Sequence, residues 1–234
     1  MDFEFRHFSL NHQQSTMKVG TDAILLAATL KLSEGIDYLD VGTGCGLIAL
    51  MIAQRSANSI IKGIDIDAPS IAEAKHNFTN SPWSERLTAE CISFQDFVER
   101  NSMRFDHILS NPPFFTGNKL SIYPSRTKSR HTVYLQHEEF LELSLACCKP
   151  TSMISVILPS LLAENFINHA ENLGFHLVAE TRVRPKSIKA VNRLVLTFSQ
   201  RKSPLVKKEL VIYDDSNNYT LAYRNLCKEF LLLD

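Results

Sequence analysis

Three short stretches hold side chains whose types and spacing suit chemistry: LDVGTGCGLIAL (39–50), IIKGIDID (60–67) and SNPPFF (110–115). In the first, Gly42, Gly44 and Gly46 alternate between an apolar run and a second apolar run. Glycines so placed permit a sharp turn and let a ligand approach the backbone closely. A dinucleotide fingerprint would need glycine at position 47, where this chain has Leu47. Asp40 also stands two residues before the first glycine, and a carboxylate there opposes pyrophosphate at a helix N-terminus. The loop therefore calls for a ligand with a positive or hydrogen-bond-donating group. In the second stretch, Asp65 ends an apolar run about twenty residues beyond the glycines, where an acid accepts from ribose hydroxyls. Asp67 shares its face and is the alternative; Asp65 is favoured because it lies nearer the end of the expected strand. A nucleoside with an amine and no pyrophosphate describes S-adenosyl-L-methionine, with its ammonium near Asp40 and its ribose at Asp65.

The third stretch ends a run, FDHIL, that reads as a buried strand, and Asn-Pro stops it. Read blandly, it is a corner with two aromatics packed beneath. Its chemistry suits a planar amine. An aromatic amine delocalises its lone pair into the ring, so two acceptors on its N–H groups must draw the nitrogen toward a pyramidal form. Asn111 supplies one through its side-chain oxygen, and a carbonyl of the Asn111-Pro112-Pro113 turn supplies the other. The prolines fix φ and remove competing donors. Phe114 offers a flat face for stacking. No strong general base is needed, because the nitrogen loses its proton readily once it has become cationic.

The elements that position these residues alternate. Strands are expected near 36–41, 60–66, 87–92, 105–110 and 153–158. Helices are expected near 47–54, 69–78, 96–100, 137–147 and 161–172, with Pro69 in a first turn. Before them, 3–10 alternates like a short strand, and 17–30 looks like a loop entering a helix capped by Thr21 or Asp22. After a polar loop at 116–136 and the last alternating pair, strands near 174–183 and 191–199 face each other without a helix between them. A helix near 219–231 closes the chain. This is an α/β pattern: a mostly parallel seven-stranded sheet with helices on both faces and an antiparallel hairpin at one edge. One domain spans 1–234, with an N-terminal extension of about 34 residues.

Composition narrows the class. Of 234 residues, 44% are hydrophobic and 21% charged, an ordinary globular balance. Lysine plus arginine and aspartate plus glutamate both total 25, so any argument for nucleic acid must come from local patches. MDFEFRHF lacks the apolar core of a signal peptide, and no apolar run approaches a membrane span. The five cysteines form no CxxC pair, and His131 and His137 are poorly spaced for zinc, so no metal is expected. A reducing, cytoplasmic setting fits, and a monomer is expected.

DVGTGCG, GIDID and SNPPFF, in this order and spacing, resemble the class I amino-methyltransferases of the N6-adenine type. The whole chain looks like the bacterial tRNA1(Val) adenine-37 N6-methyltransferase family. MKVGTDAILLAA (17–28), NFTNSPWSERL (77–87), FDHILSNPPFF (105–115) and YTLAYRNLCKEFLLL (219–233) resemble that family's leading motif, its segment after the second helix, its catalytic strand and its closing helix. The resemblance implies a Rossmann-like class I methyltransferase fold. It implies donor binding at Asp40, Gly42, Gly44, Gly46 and Asp65, and base handling at Asn111, Pro112, Pro113 and Phe114. Lys18, Thr21 and Asp22 would close over the donor; their bland alternative is a helix cap with a surface lysine. Relatives often carry tyrosine where Phe114 stands. They often have an acid after the third strand to meet the donor's adenine; here Ser93 and Phe94 take that place, with Asp96 as a helix cap.

Two runs without an acid point to RNA. Lys119, Arg126, Lys128 and Arg130 lie in the first (119–131); Arg182, Arg184, Lys186, Lys189, Arg193, Arg201, Lys202, Lys207 and Lys208 in the second (182–208). Such runs are often only solvated faces. Beside a base platform they suggest phosphate contact with a tRNA anticodon loop, whose target base is unstacked. The alternatives are a protein-glutamine N5-methyltransferase, which would use the same platform for an amide, and a non-catalytic nucleotide- or RNA-binding module.

Overall fold

The computed structural model describes residues 2–15, 19–112 and 135–233. The strands are β1 (Phe3–Glu4), β2 (Ser9–Leu10), β3 (Asp37–Val41), β4 (Ile60–Asp65), β5 (Leu87–Cys91), β6 (Phe105–Ser110), β7 (Cys148–Pro159), β8 (His176–Lys186), β9 (Arg193–Ser199) and β10 (Val206–Tyr213). The helices are α1 (Thr21–Thr29), α2 (Leu47–Arg55), α3 (Ala68–Thr79), α4 (Phe94–Arg100), α5 (His137–Cys147), α6 (Ser160–Asn172) and α7 (Leu221–Cys227). The first two strands form a small antiparallel pair, where the sequence suggested one strand. The other eight form one sheet in the order β10-β8-β9-β7-β6-β3-β4-β5.

β9 runs antiparallel to β7 and β8, as the helix-free connection implied. The hairpin is not the sheet's edge, because β10 pairs in parallel outside β8 and brings the strand count to eight rather than seven. The sequence hid β10 because its first four residues are exposed and two are lysines. Charged side chains are how an edge strand discourages pairing with another chain.

Alternation sends neighbouring strand residues to opposite faces. Tyr38 and Leu109 join one apolar cluster with α1, α2, α3 and α7, while Leu39 and Ile108 join another with α4, α5 and α6. Three layers result, with the sheet in the middle. In α2 all seven residues from Leu47 to Ala53 are buried, which fixes the helix that follows the glycine loop. Fully burying one such aliphatic side chain stabilises the fold by about 1.5–3 kcal/mol.

Candidate active site

Asp40 lies in β3 opposite Gly63 of β4 and Leu109 of β6. Asp65 and Asn111 are each one strand over and two residues further on, roughly 8 Å away at Cα by strand spacing and rise. The three therefore form an arc at the carboxyl ends of the parallel strands, where ligands bind in open α/β sheets. Asp40 is fully buried. Its Oδ2 accepts from Thr43 Oγ1 at 2.7 Å, and its Oδ1 has no hydrogen-bond partner within bonding geometry among the described residues. Burial pushes its carboxyl up to about 7; the charge of Asp65 adds to the rise and the Thr43 bond opposes it.

The glycine loop wraps over this acid. Gly42 and Thr43 donate their N–H groups to the Ile64 carbonyl at 2.9 and 3.0 Å. Gly44 N–H donates to Asp65 Oδ2 at 3.0 Å. Gly44 and Gly46 have φ of +56° and +88°, a left-handed conformation that costs other residues energy. Their surroundings differ. A Cβ on Gly46 would sit 2.4 Å from Phe78 Cε1, whereas one on Gly42 or Gly44 would have nothing within 4 Å. Gly46 thus packs the loop onto α3, while Gly42 and Gly44 border an open cradle.

Asp65 Oδ1 accepts from Asp67 N–H at 2.9 Å. Burial raises its pKa, and the N–H groups of Asp67 and Gly44 oppose that. Asp67 is occupied elsewhere: its Oδ2 caps α3, accepting from Ser70 N–H at 3.1 Å and from Ser70 Oγ. Asn111 is buried, and its Oδ1 has no hydrogen-bond partner among the described residues. A buried acceptor left unmade costs about 1–3 kcal/mol, a cost that a bound donor removes. Just before it, Ser110 Oγ donates to the Val41 carbonyl at 2.8 Å and ties β6 to β3 below the arc. Pro112 is buried beside Asn111.

Pro113, Phe114, Lys18 and the basic run 119–131 lie outside the described residues. Neither Thr21 nor Asp22 caps α1; that place belongs to Gly20, and they are the first two helical residues. Asp22 Oδ2 accepts from Arg193 Nε at 2.9 Å, binding α1 to the start of β9. Ser93, not Asp96, caps α4. Its Oγ accepts from Asp96 N–H at 3.0 Å and donates to Asp96 Oδ2 at 2.8 Å. Ser93 nonetheless stays beside Asp65, because Ile92 N–H donates to the Asp65 carbonyl at 2.9 Å. Phe94 is buried against Phe140, with ring centroids 5.9 Å apart.

Sequence reasoning missed two residues that hold the loop. Asn77, buried in α3, donates to the Cys45 carbonyl in the glycine loop and to the Asn11 carbonyl, both at 2.8 Å. Its Oδ1 accepts from Asn11 N–H at 2.9 Å. One turn earlier, Glu73 accepts from the N–H groups of Gln14 and Ser15, at 2.5 and 2.8 Å, and from Ser15 Oγ. Together they clamp residues 11–15 to the glycine loop. The only signal was NFTNSPWSERL, which resembles a family segment but suggested no role. Ile66, 49% exposed next to Asp65, is a third residue without an earlier assignment.

Residues 9–125 match the methyltransferase small domain family. A tRNA1(Val) (adenine(37)-N6)-methyltransferase of Actinobacillus succinogenes is 37% identical over 98% of this chain and 97% of its own. The chain belongs to that family. Enzymes of the same name from Pectobacterium carotovorum and Salmonella typhi are 35% and 34% identical, each over 98% of this chain and over 93% and 94% of theirs. Among solved structures, a predicted O-methyltransferase from Agrobacterium tumefaciens superposes with TM-score 0.71 at 17% identity, covering 89% of this chain and 96% of its own. A methyltransferase from Pyrococcus furiosus gives 0.57 at 17% identity, covering 83% and 90%. These structures share the family's Rossmann-like methyltransferase fold. Among the described residues, no three metal-ligating side chains cluster, and no helix is long and apolar enough to cross a membrane. His137 lies edge-on to Phe166, with ring centroids 5.9 Å apart.

Proposed function

We propose that this chain transfers a methyl group from S-adenosyl-L-methionine to N6 of an adenine in tRNA, namely adenine 37 of tRNA1(Val), as the names of its relatives state for them. The observation that carries the reading is the buried Oδ1 of Asn111, unpartnered among the described residues, at the end of β6 in SNPPFF. The donor fits the residues present. The unpaired Oδ1 of Asp40 suits its ammonium, the Asp65 carboxylate suits its ribose hydroxyls, and the space over Gly42 and Gly44 admits a ligand against the backbone. Asp67, committed to its helix cap, is the weaker candidate for the ribose. Ser93, Phe94 and Ile66 would border the donor's adenine, and Lys18 and Thr21 are further donor contacts on the family resemblance.

When bound, the donor supplies an electrophilic methyl group. The chain's own residues present the amine. Asn111 Oδ1 accepts one N–H of the target amine, and a carbonyl of the Asn-Pro-Pro turn accepts the other, so the lone pair localises on nitrogen. The prolines keep that carbonyl aimed, and the Phe114 ring stacks under the base. After transfer the nitrogen is cationic, and its proton leaves to water without a titratable side chain. The target base must first leave its stack, which costs least in a loop.

Substituting Asn111→Ala tests this reading. Turnover should fall on the order of 10²–10³-fold, the usual cost of losing one preorganised transition-state hydrogen bond. Donor affinity should stay within about twofold, since Asn111 is assigned to the acceptor; RT ln 2 is only about 0.4 kcal/mol. Asn111→Asp, which keeps an acceptor oxygen, should retain more activity than Asn111→Ala. Wild-type turnover in Asn111→Ala would overturn the assignment.

A further inference from the structure

The basic run 182–208 is continuous in sequence and divided in space. Three of its cations are neutralised: Arg182 pairs with Glu180 at 3.4 Å, Arg184 with Glu209 at 2.6 Å and Arg193 with Asp22 at 2.9 Å. The others fall into separate groups. Lys186 ends β8, and Lys189 lies in the β8–β9 turn. That turn stands at the same sheet edge as Asn111, because Pro159, at the end of β7, pairs with Arg193, at the start of β9. Arg201 and Lys202 follow Ser199, whose partner on β8 is His176. His176 is ten residues before Lys186, roughly 30 Å along the strand, so this pair occupies the opposite edge. Lys207 and Lys208 sit on the outer strand opposite Glu180 and Thr181, intermediate between the two.

The turn is rigid and presents apolar side chains to solvent. Lys189 N–H donates to the Lys186 carbonyl at 3.0 Å, and Arg184 Nη1 donates to the Lys189 carbonyl at 2.8 Å. Ser160, first in α6, donates its N–H to the Asn192 carbonyl at 3.2 Å and its Oγ to the Val191 carbonyl at 2.9 Å. The start of α6 is thereby pinned to the turn. On this fixed frame Ile188 is 79% exposed and Leu161 is 90% exposed. Lys189 is exposed, and Lys186 Nζ makes a 3.3 Å bond to the Asp215 carbonyl. Acids also border the lip: Glu209 pairs with Arg184, Asp22 pairs with Arg193, and the Asp215 carbonyl accepts from Lys186 Nζ. From the end of β6 to the end of β8 is three inter-strand steps, about 14 Å. That is too far to touch the reacting base, but it lies on the edge where the rest of its loop must pass.

We propose that the β8–β9 turn and the start of α6 form the lip that grips the RNA loop around the target base. Lys186 and Lys189 meet phosphates, Ile188 and Leu161 pack on unstacked bases or riboses, and Arg201 and Lys202 take no part. The inference rests on the tRNA reading above. Lysine–phosphate contacts supply salt-dependent affinity, while apolar contacts to unstacked bases add affinity without releasing counterions.

The test is binding of an in vitro transcribed tRNA1(Val) by fluorescence anisotropy across a salt series. Lys186→Ala/Lys189→Ala should weaken binding about tenfold at 0.1 M salt and make the slope of log K against log salt shallower by about 1.4–1.8, the share of two phosphates. Ile188→Ser should weaken binding by roughly threefold at an unchanged slope. Arg201→Ala/Lys202→Ala should change neither, and all variants should bind S-adenosylhomocysteine as wild type does. A slope lowered by the Arg201/Lys202 pair and untouched by the Lys186/Lys189 pair overturns the proposal, as does wild-type protein that binds no tRNA. Wild-type protein that grips tRNA through this lip and yet transfers no methyl group supports the lip and removes only the methylation reading.

Discussion

Gly44 and Gly46 share a residue type, a loop and a positive φ, yet alanine should harm them in different ways. In Gly46→Ala the left-handed backbone costs about 1–2 kcal/mol. The new methyl, 2.4 Å from Phe78 Cε1 and 2.8 Å from Cζ, adds an overpacking cost of about 1–3 kcal/mol. Phe78 is itself buried in α3, so it has little room to yield. The sum, about 2–5 kcal/mol, lowers Tm by roughly 5–20 °C for a chain of this size. In Gly44→Ala only the backbone cost applies, about 1–2 kcal/mol. Its methyl enters the open cradle, so donor affinity should fall at least tenfold, about 1.4 kcal/mol or more. Thermal denaturation followed by circular dichroism reads the first effect, and calorimetric titration with S-adenosylhomocysteine reads the second. Equal loss of Tm in both variants, with wild-type affinity in Gly44→Ala, would refute the division of labour in the loop.

Asp40 should make donor binding depend on pH. Its folded pKa, about 7, stands above the ordinary value of 3.8, so the free protein holds a proton there below neutrality. A cationic donor favours the carboxylate, so affinity should rise up to about tenfold per unit below pH 7 and level off above it, until the donor's own amine deprotonates near pH 8. Asp40→Asn should abolish this slope. The stability cost of ionising Asp40 is absent below pH 3.8 and grows as pH rises to about 7, so Asp40→Asn should gain more Tm relative to wild type at pH 8 than at pH 5. Asn77→Ala should lose about 2–4 kcal/mol with its three hydrogen bonds. It should also raise the donor KM by a larger factor than it lowers kcat, because it touches the loop and not the base platform; an unchanged KM in the folded variant would contradict the clamp. Ser93→Ala should cost about 1 kcal/mol as a lost helix cap, and Ser93→Thr, which keeps the hydroxyl that also donates to Asp96, should recover most of it in a melting curve.

The elements around the site were legible because their apolar periodicity is strong. β6 and α5 have the bounds the sequence suggested, and the glycine loop lies between β3 and α2 as expected. What escaped was structure whose support comes from distant residues. β7 begins at Cys148 rather than near 153 because its polar start is tied down by Lys149, which bridges Asp37 and Asp106 at 3.1 and 2.7 Å. β10 pairs on one side only, so its lysines disguise it as part of a charge run. Position in the strand favours Asp65 over Asp67 without saying what either side chain is bonded to. The distinction lies in a cap bond to Ser70 and a loop bond from Gly44, which are properties of the fold. The clamp by Asn77 and Glu73 was hidden for the same reason, since its partners lie 32–66 residues away in sequence.

The most direct measurement incubates the protein with labelled S-adenosyl-L-methionine and bulk tRNA, or separately with bulk release-factor protein, then digests the tRNA to nucleosides for mass spectrometry. The account predicts labelled N6-methyladenosine from tRNA and no label in protein. Label on a protein glutamine, or in neither substrate, would contradict it.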